Sequence, residues 1–309
     1  MILTICVNAA VDKTLVIEDL QAGTERRVQD IALMVPGGKG VNVARTVHTL
    51  GEKVRLLGFA GGVAGDFIRQ GLAREGIPAD WVAVPGESRT CLAIIDPARG
   101  TETIINEAGP TAPAEARVGF LTLFDRALTD ADLVTLSGSL LPGLPDTFYA
   151  TLIERAMVRG VPCLLDTSGA ALRTGLAARP FVVKPNRAEA KTLTSVPVCD
   201  ARTALIAARR LLDKARMALV TLGQDGAVLA TQAGAWHARP PAVRVVNTVG
   251  SGDSFSAGFA VALVRGLPPL GALRLGTACA AANAMRQGAG QARREDVEAL
   301  RARVQISSL

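Results

Sequence analysis

Four consecutive residues, Gly250, Ser251, Gly252 and Asp253, have the composition of a site that binds an anion. The apolar residues after them recur with helical spacing, which predicts that the four residues begin a helix. The first N–H groups of a helix have no acceptor within it, the helix dipole favours negative charge there, and glycine allows close approach to the backbone. A carboxylate beside a bound anion is unusual unless it acts on the incoming group, so Asp253 is a candidate general base.

The same four residues also fit an ordinary helix start that binds nothing, because serine, glycine and aspartate are frequent helix caps. Residues 243–246, just before them, are apolar and predict a strand. On this interpretation the four residues occupy the loop between a strand and a helix. Both readings stay open on these residues alone.

A second glycine-rich segment, residues 36–45, contains Gly38, Lys39 and Asn42 and leads into a predicted helix. It is not a Walker A loop, because Lys39 is followed by Gly40 instead of serine or threonine. One interpretation is a glycine-rich turn before a helix. The other is close backbone approach to a hydroxylated ligand, with Lys39 and Asn42 reaching it.

Polar side chains also follow predicted strands elsewhere in the chain. Asp12 comes after the apolar residues 2–7, and it is either a turn residue or a group that holds sugar hydroxyls, because ligands bind at the carboxyl ends of such strands. Asn186 and Glu189 are one helical turn apart. That spacing fits a capping box, in which the two residues only start a helix.

The elements that must position these residues alternate between strand and helix. Alternation of this kind predicts an α/β fold with a doubly wound, mostly parallel sheet and right-handed crossovers. Polar or glycine-rich clusters follow strand after strand, so they should meet at one edge of that sheet. The predicted strands are residues 2–7, 54–59, 81–84, 133–136, 162–165, 181–184 and 218–222, with a hairpin at 228–237; the predicted helices are 65–75, 113–128, 146–159, 201–215, 270–286 and 294–304.

Two other segments, residues 13–35 and 88–106, read as pairs of short strands that do not alternate with helices. They predict a small antiparallel β lid standing off the α/β core. A sheet with an apolar face needs a cover, so the lid is also a candidate dimer surface. The chain shows no repeats or linkers, and we expect residues 1–309 to form one domain.

Composition excludes several classes of protein. The chain has 309 residues, 49% of them hydrophobic, so it can bury a large core, and we expect neither a membrane span nor a signal peptide. The net charge of +6 is spread along the chain and aromatic residues make up only 4%, which argues against nucleic acid and suits an anionic small substrate. The five cysteines are scattered without metal-ligand spacing, which indicates reduced thiols in the cytoplasm. The two histidines, His48 and His237, are not expected to be catalytic.

Two of these segments carry a resemblance to a known family. Residues 247–258 resemble the C-terminal signature of the PfkB, or ribokinase-like, carbohydrate kinases, with Asn247 in place of the usual first aspartate. Residues 36–45 resemble the N-terminal signature of the same family. The resemblance extends over nearly the whole chain and is greatest for the hexose-phosphate branch, which contains 1-phosphofructokinase, tagatose-6-phosphate kinase and a minor 6-phosphofructokinase. Departures at Ala9, Leu141 and Ala170 leave the acceptor open.

The resemblance implies a ribokinase-like fold and a role for each candidate residue. Asp253 is the catalytic base, and the N–H groups from Gly250 to Asp253 hold the transferred phosphoryl group. The helix dipole should keep Asp253 ionised and therefore weakly basic. ATP and Mg²⁺ are the expected cofactors, with K⁺ a further candidate. The implied acceptor residues are Asp12, Gly38, Lys39, Asn42, Arg89 and Ser137, with Arg26 and Arg27 as further phosphate contacts; the implied ATP residues are Lys184, Asn186, Thr221, Gly223, Gly226 and Asn283; Asn186 and Glu189 are implied near Mg²⁺, through water.

The resulting expectation is ATP-dependent phosphorylation of a ketohexose monophosphate, with fructose 1-phosphate first and tagatose 6-phosphate or fructose 6-phosphate next. The alternatives are a kinase for unphosphorylated sugars or nucleosides and a sugar-phosphate sensor without catalytic activity. A homodimer through the lid is expected.

Overall fold

The protein is described here by a computed structural model, which covers residues 1–28 and 31–309 and has a ten-stranded sheet as its largest feature. The sheet is parallel except at one edge, where its last three strands run antiparallel. This confirms the predicted fold class. Across the sheet the strands are β14 (Gln305–Ser308), β13 (Gly234–Arg239), β12 (Ala227–Thr231), β11 (Met217–Thr221), β10 (Val182–Val183), β9 (Cys163–Asp166), β8 (Leu133–Ser137), β1 (Ile2–Cys6), β4 (Val54–Ala60) and β5 (Ala79–Ala83).

Helices cover both faces of this sheet, and each face has its own apolar core. The strand order reverses around β1, which pairs with β4 on one side and β8 on the other, so the crevice at the carboxyl end of β1 is the expected place for a ligand. One face carries α1 (Lys39–Thr49), α2 (Gly62–Arg74), α8 (Ser251–Val264), α9 (Pro269–Ala284) and α10 (Arg294–Arg301); the other carries α3 (Ala114–Ala127), α4 (Phe148–Val158), α5 (Gly169–Ala177), α6 (Arg187–Thr194) and α7 (Ala201–Leu211).

A second sheet of four strands forms the lid: β3 (Leu33–Gly37), β2 (Ala10–Val16), β6 (Arg89–Asp96) and β7 (Thr101–Asn106), in that order across the sheet. Its two outer pairings are antiparallel as predicted, whereas β2 and β6 pair in parallel. Strand β2 begins at Ala10 and strand β3 ends at Gly37, so both extend beyond the predicted lid segment, residues 13–35. Residues 29 and 30, part of a predicted lid strand, lie outside the described residues.

Two predictions of secondary structure are wrong, and one helix was not predicted. Residues 243–246 form no strand, because Val246 donates a hydrogen bond to the carbonyl of Ala284 at the end of α9 and no strand among the described residues pairs with it. The last helix ends at Arg301, and the chain then adds β14 to the sheet. The sequence reading also missed α5, a helix of nine residues.

Aromatic side chains pack in the core on one face of the sheet and hold the loop that follows β8. Phe59 and Phe120 stack with ring centroids 4.7 Å apart, and both side chains are fully buried. The buried Tyr149 hydroxyl donates to the carbonyls of Ser137 and Gly138. Packing of α4 therefore holds the loop after β8 at the carboxyl end of the sheet. In the described part of the chain, no helix is both long and apolar enough to span a bilayer.

Candidate active site

A cleft of about 460 Å³ lies between the carboxyl ends of the large sheet and the lid. It brings together most of the residues that the sequence singled out, although they come from every part of the chain. Those that line it are Asp12, Gly38, Lys39, Asn42, Arg89, Lys184, Asn186, Glu189, Thr221, Gly250, Gly252 and Asp253. Those outside its lining are Ser137, Ser251, Gly223, Gly226 and Asn283, together with Arg26, Arg27, His48 and His237.

The loop before α8 has the geometry of an anion site. Gly250 adopts a left-handed conformation, with φ 77°, and turns the chain into the helix. A Cβ atom at Gly250 would lie 2.5 Å from Cβ of Ala289, so only glycine fits there. The Ser251 N–H donates to the carbonyl of Thr248 at 3.2 Å, which corrects the expectation that every N–H from Gly250 to Asp253 faces the ligand.

Asp253 lies at the first turn of α8 and is buried, with 5% of its surface exposed. Its Oδ2 atom accepts a hydrogen bond of 2.8 Å from Nδ2 of Asn42 on α1. The hydroxyls of Thr46 and Ser254, 3.2 Å apart, join the same two helices.

The surroundings of Asp253 act against the expectation that the helix dipole makes it a weak base. Burial raises the pKa of Asp253 above its ordinary value, and this exceeds the opposing effect of the Lys39 ammonium. A buried carboxylate with a raised pKa is a stronger base than an exposed one. It is therefore better suited to accept a proton from a hydroxyl group.

Two lysines meet at a buried carboxylate that the sequence reading did not assign. Asp166, at the end of β9, lies 2.9 Å from Nζ of Lys184 and 3.5 Å from Nζ of Lys39, and it accepts from the Ser256 hydroxyl. Burial alone would raise the pKa of Asp166, but the two ammonium groups hold it below its ordinary value. The position of Asp166 at the end of a predicted strand is the signal that could have identified it from the sequence. The arrangement leaves a net positive site for phosphate oxygens beside Gly252.

Asp12 lies within β2 and is not a turn residue. Its carboxyl group lies directly over Gly37, so a Cβ atom added to Gly37 would be 2.0 Å from Cγ of Asp12. Burial raises the pKa of Asp12 to about 6, although the Arg45 guanidinium opposes this rise. Arg89, on the neighbouring strand β6, donates to the carbonyl of Glu107, and its buried Nε has no partner among the described residues. The side chain of Arg89 is only partly buried and lines the cleft, so the exposed end of its guanidinium group can donate to an acceptor there.

We expect acceptor binding to depend on the ionisation of Asp12. As the pH falls through about 6, Asp12 gains a proton and loses its capacity as a double acceptor of sugar hydroxyls. The KM for the acceptor should then rise by about tenfold per pH unit. Initial rates at about pH 5, 6, 7 and 8 measure this dependence.

Asp12→Asn is the matched variant for this prediction. Its acceptor KM should be high at every pH, while the KM for ATP should not change. The raised pKa means that the folded state disfavours the carboxylate, so the variant should be more resistant to heat than the wild-type protein above pH 6. An acceptor KM that stays constant from about pH 5 to about pH 8 in the wild-type protein would contradict this role.

Asn186 and Glu189 form a reciprocal capping box at the start of α6. Asn186 Oδ1 accepts from the Glu189 N–H, and Glu189 Oε2 accepts from the Asn186 N–H. Glu189 keeps its other carboxylate oxygen, Oε1, outside these bonds, and both residues line the cleft. Among the described residues no group of three or more histidine, cysteine or acidic side chains could hold a metal. A Mg²⁺ ion held through water and nucleotide phosphates fits this arrangement, because Mg²⁺ retains waters and needs few protein ligands.

Asn283 has a position different from the predicted one. Its side chain is fully buried and donates to the Val249 carbonyl and the Ser251 hydroxyl, while its oxygen accepts from the Gln291 N–H. A side chain without exposed surface cannot contact adenine, so the predicted contact is not supported. Asn283 instead holds the loop before α8 from behind.

The remaining predicted residues lie outside the cleft lining for local reasons. Ser137 is buried, and its neighbours Gly138 and Ser139 line the cleft in its place. Gly226 packs against the Ala238 carbonyl in a turn. The ring of His237 is hydrogen-bonded to the carbonyl of Asp225. His48 is exposed on the protein surface. The guanidinium group of Arg26 donates to the carbonyl of Asp19. Gly223 forms part of a turn, with φ 64°.

A large, mostly parallel sheet with a small β lid over the cleft is the ribokinase-like fold of sugar kinases. The family model described as pfkB family carbohydrate kinase matches residues 6–296, and the chain belongs to that family. The resemblance found in the sequence is thereby confirmed. Family membership implies the use of ATP and Mg²⁺.

Three solved structures show how similar the relatives are. A possible 1-phosphofructokinase from Thermotoga maritima has a TM-score of 0.92 and 28% identity, covering 100% of this chain and 99% of that one. Phosphofructokinase-2 from Escherichia coli, in complex with potassium, has a TM-score of 0.90 and 26% identity, covering 98% of each chain. Ribokinase from Arabidopsis thaliana, with ribose and ATP, has a TM-score of 0.79 and 24% identity, covering 97% and 98%, a likeness of fold alone.

Proposed function

We propose that the protein transfers the terminal phosphoryl group of ATP to a ketohexose monophosphate, first of all fructose 1-phosphate, giving fructose 1,6-bisphosphate and ADP. The observation that carries the proposal is that one cleft holds the buried carboxylate of Asp253 together with two cationic side chains, Lys39 and Arg89. Lys39 lies at the start of α1, and Arg89 lies on lid strand β6. An arginine with free donors suits the phosphate of an acceptor.

In this reaction the acceptor hydroxyl oxygen forms a bond to the γ-phosphorus while the bond from that phosphorus to the β–γ bridging oxygen breaks. Asp253 accepts the hydroxyl proton, and Asn42 holds the carboxylate toward the cleft. The free N–H groups at the start of α8 and the ammonium groups of Lys39 and Lys184 stabilise the negative charge of the transferred group. Mg²⁺ bound with ATP would neutralise its phosphates, and Asn186 and Glu189 would hold the waters of that ion.

The lid side of the cleft supports an acceptor that is already phosphorylated. Asp12 suits the sugar hydroxyls, and Lys39 and Arg89 supply two positive charges to the same cleft. A neutral sugar needs no such charges. Tagatose 6-phosphate is the second acceptor that we propose. Fructose 6-phosphate is the third, and the similarity to phosphofructokinase-2 supports its inclusion. A K⁺ requirement belongs to the proposal as well, because that relative was crystallised with potassium.

The experiment that tests the proposal is a measurement of ADP release with Mg-ATP against a panel of acceptors. The panel contains fructose 1-phosphate, tagatose 6-phosphate, fructose 6-phosphate, free fructose, ribose and adenosine, each with and without K⁺. Turnover of one phosphorylated ketohexose supports the proposal. Turnover of a free sugar or nucleoside alone would overturn the assignment of Lys39 and Arg89, and nucleotide binding without turnover of any acceptor would favour a sensor.

We also propose that the protein is a homodimer joined through the lid. The edge strand β7 is exposed along its whole length, and it places Ile104 on the face of the lid that lines the cleft and Ile105 on the opposite face, each about half exposed. An uncovered sheet with apolar side chains on both faces is typical of an interface.

The double variant with Ile104→Asp and Ile105→Asp should therefore be a monomer at concentrations where the wild-type protein is a dimer. Light scattering after size exclusion measures the mass of each. Val118→Asp is the matched control, since Val118 is an exposed apolar residue on α3, away from the lid, and its replacement should leave the mass unchanged. A monomeric wild-type protein would contradict the proposal.

A further inference from the structure

The buried residue Arg45 on α1 uses all five of its N–H donors in one place. Its Nε and Nη2 atoms form a two-point pair with the carboxylate of Glu75, at 2.6 and 2.9 Å. Nη2 also donates to the Pro36 carbonyl at 2.8 Å, and Nη1 donates to the Ala289 carbonyl at 3.2 Å and to Oδ1 of Asn42 at 3.5 Å. The side chain is only 8% exposed, so none of these donors has water as a substitute partner.

The contact with Asn42 determines which end of its amide faces the base. Arg45 is a donor only, so Asn42 must present its oxygen to Arg45. The amide nitrogen then points the other way and donates to Oδ2 of Asp253 at 2.8 Å. A reversed amide would place its oxygen against the carboxylate of Asp253, and the base would lose its hydrogen-bond donor.

The contact with Ala289 supports the anion loop. Ala289 packs against Gly250, and a Cβ atom at the next residue, Gly290, would lie 2.9 Å from Cα of Asn42. Because the Arg45 guanidinium holds the Ala289 carbonyl, this segment cannot move away from the helix start without breaking a buried hydrogen bond. The Pro36 carbonyl, at the end of lid strand β3, is held by the same side chain.

We infer that Arg45 is a positioning residue for phosphoryl transfer, acting through Asn42 on the catalytic base and through Ala289 on the anion loop. It touches neither the acceptor nor the nucleotide. Its contribution should therefore be to kcat, with little effect on the KM of either substrate. The inference rests on the proposed function, in which Asp253 is the base and the start of α8 holds the phosphoryl group.

The test is Arg45→Lys, which keeps the positive charge but cannot span five acceptors. We expect kcat to fall by about 100-fold, because displacement of a catalytic group by about 1 Å has effects of that size. The KM values for ATP and acceptor should stay within about threefold of the wild-type values. Arg265→Lys is the matched control. Arg265 also binds a carboxylate, that of Glu52, and a carbonyl, that of Leu50, but away from the cleft, and its replacement should leave both constants unchanged.

A double-mutant cycle with Asn42→Ala separates positioning from general stabilisation. If Arg45 acts through Asn42, then Arg45→Lys should lower kcat by less than about tenfold when Asn42 is already alanine. Effects that multiply in full would overturn the inference. So would a rise in KM with kcat unchanged, or wild-type kinetics in a folded Arg45→Lys protein.

Glu75→Gln provides a second variant in case Arg45→Lys does not fold, because Glu75 is partly exposed and glutamine has the same shape. Its kcat should fall by about three- to tenfold with unchanged KM values, since the charge-assisted pair that fixes the guanidinium becomes weaker. An unchanged kcat in this variant would overturn the inference. All variants are assayed with whichever acceptor the wild-type protein phosphorylates, so a wrong choice of ketohexose leaves this test intact.

Discussion

Asp253→Asn should lower kcat by a factor of about 10² to 10⁴, the usual contribution of a general base. Asparagine has the shape of aspartate and can still accept a hydrogen bond from Asn42, so the site should keep its form while losing the group that takes the hydroxyl proton. ADP release at saturating ATP and acceptor measures the loss. Nucleotide affinity, measured by calorimetry, should remain within about threefold of the wild-type value.

Stability provides an independent check on the same variant. Burial raises the pKa of Asp253, so the folded state disfavours its carboxylate, and the wild-type protein loses stability as the pH rises above the ordinary carboxyl pKa. Asp253→Asn should therefore unfold at a higher temperature than the wild-type protein at neutral pH. A variant that is less active and more stable shows that the residue is retained for chemistry rather than for folding.

Asp125→Asn is a suitable control, because Asp125 is a partly exposed carboxylate that pairs with Arg155 far from the cleft. Neither its kcat nor its melting temperature should change by much, since exposed ion pairs contribute little. Activity of Asp253→Asn close to that of the wild-type protein would remove Asp253 from the mechanism, whatever acceptor the enzyme uses.

The sequence indicates where the candidate site lies wherever the signal is local. The order of Gly250, Gly252 and Asp253 along the chain is enough to indicate a helix start that could bind an anion. Strands with continuous apolar runs are recognisable because both of their faces are buried. The lid was also predictable, since its segments do not alternate with helices. These features depend on neighbours in the chain, which a sequence displays directly.

The features that were missed depend on distant neighbours. Arg45 looks like any polar residue on a helix, and its partners Pro36, Glu75 and Ala289 are near it only after folding. Asn283 faces inward because α9 packs against α8, which no residue spacing reveals. The raised pKa of Asp253 likewise arises from burial by the whole fold, which no short stretch of sequence displays.

Gly250→Ala should lower kcat by a factor of about 10² to 10³, the effect of removing an oxyanion donor. The added methyl group would lie 2.5 Å from Cβ of Ala289 and 2.7 Å from its Cα, so either the loop or the Ala289 segment has to move. Movement of the loop displaces the N–H groups that face the phosphoryl group, and movement of Ala289 disturbs its bond to Arg45. Steady-state rates with the preferred acceptor measure the loss.

Gly266→Ala separates this clash from backbone strain. Gly266 follows the other end of α8 with φ 67°, close to the 77° of Gly250, but a Cβ atom there would meet nothing within 4 Å. Strain should destabilise both variants by about 1–2 kcal/mol, because alanine disfavours the left-handed conformation, and Gly250→Ala should lose more stability because of its clash with Ala289. Only Gly250→Ala should also lose activity. Equal kcat values for the two variants would show that the helix start does not hold the phosphoryl group, and the transition-state charge would then fall to Lys39 and Lys184.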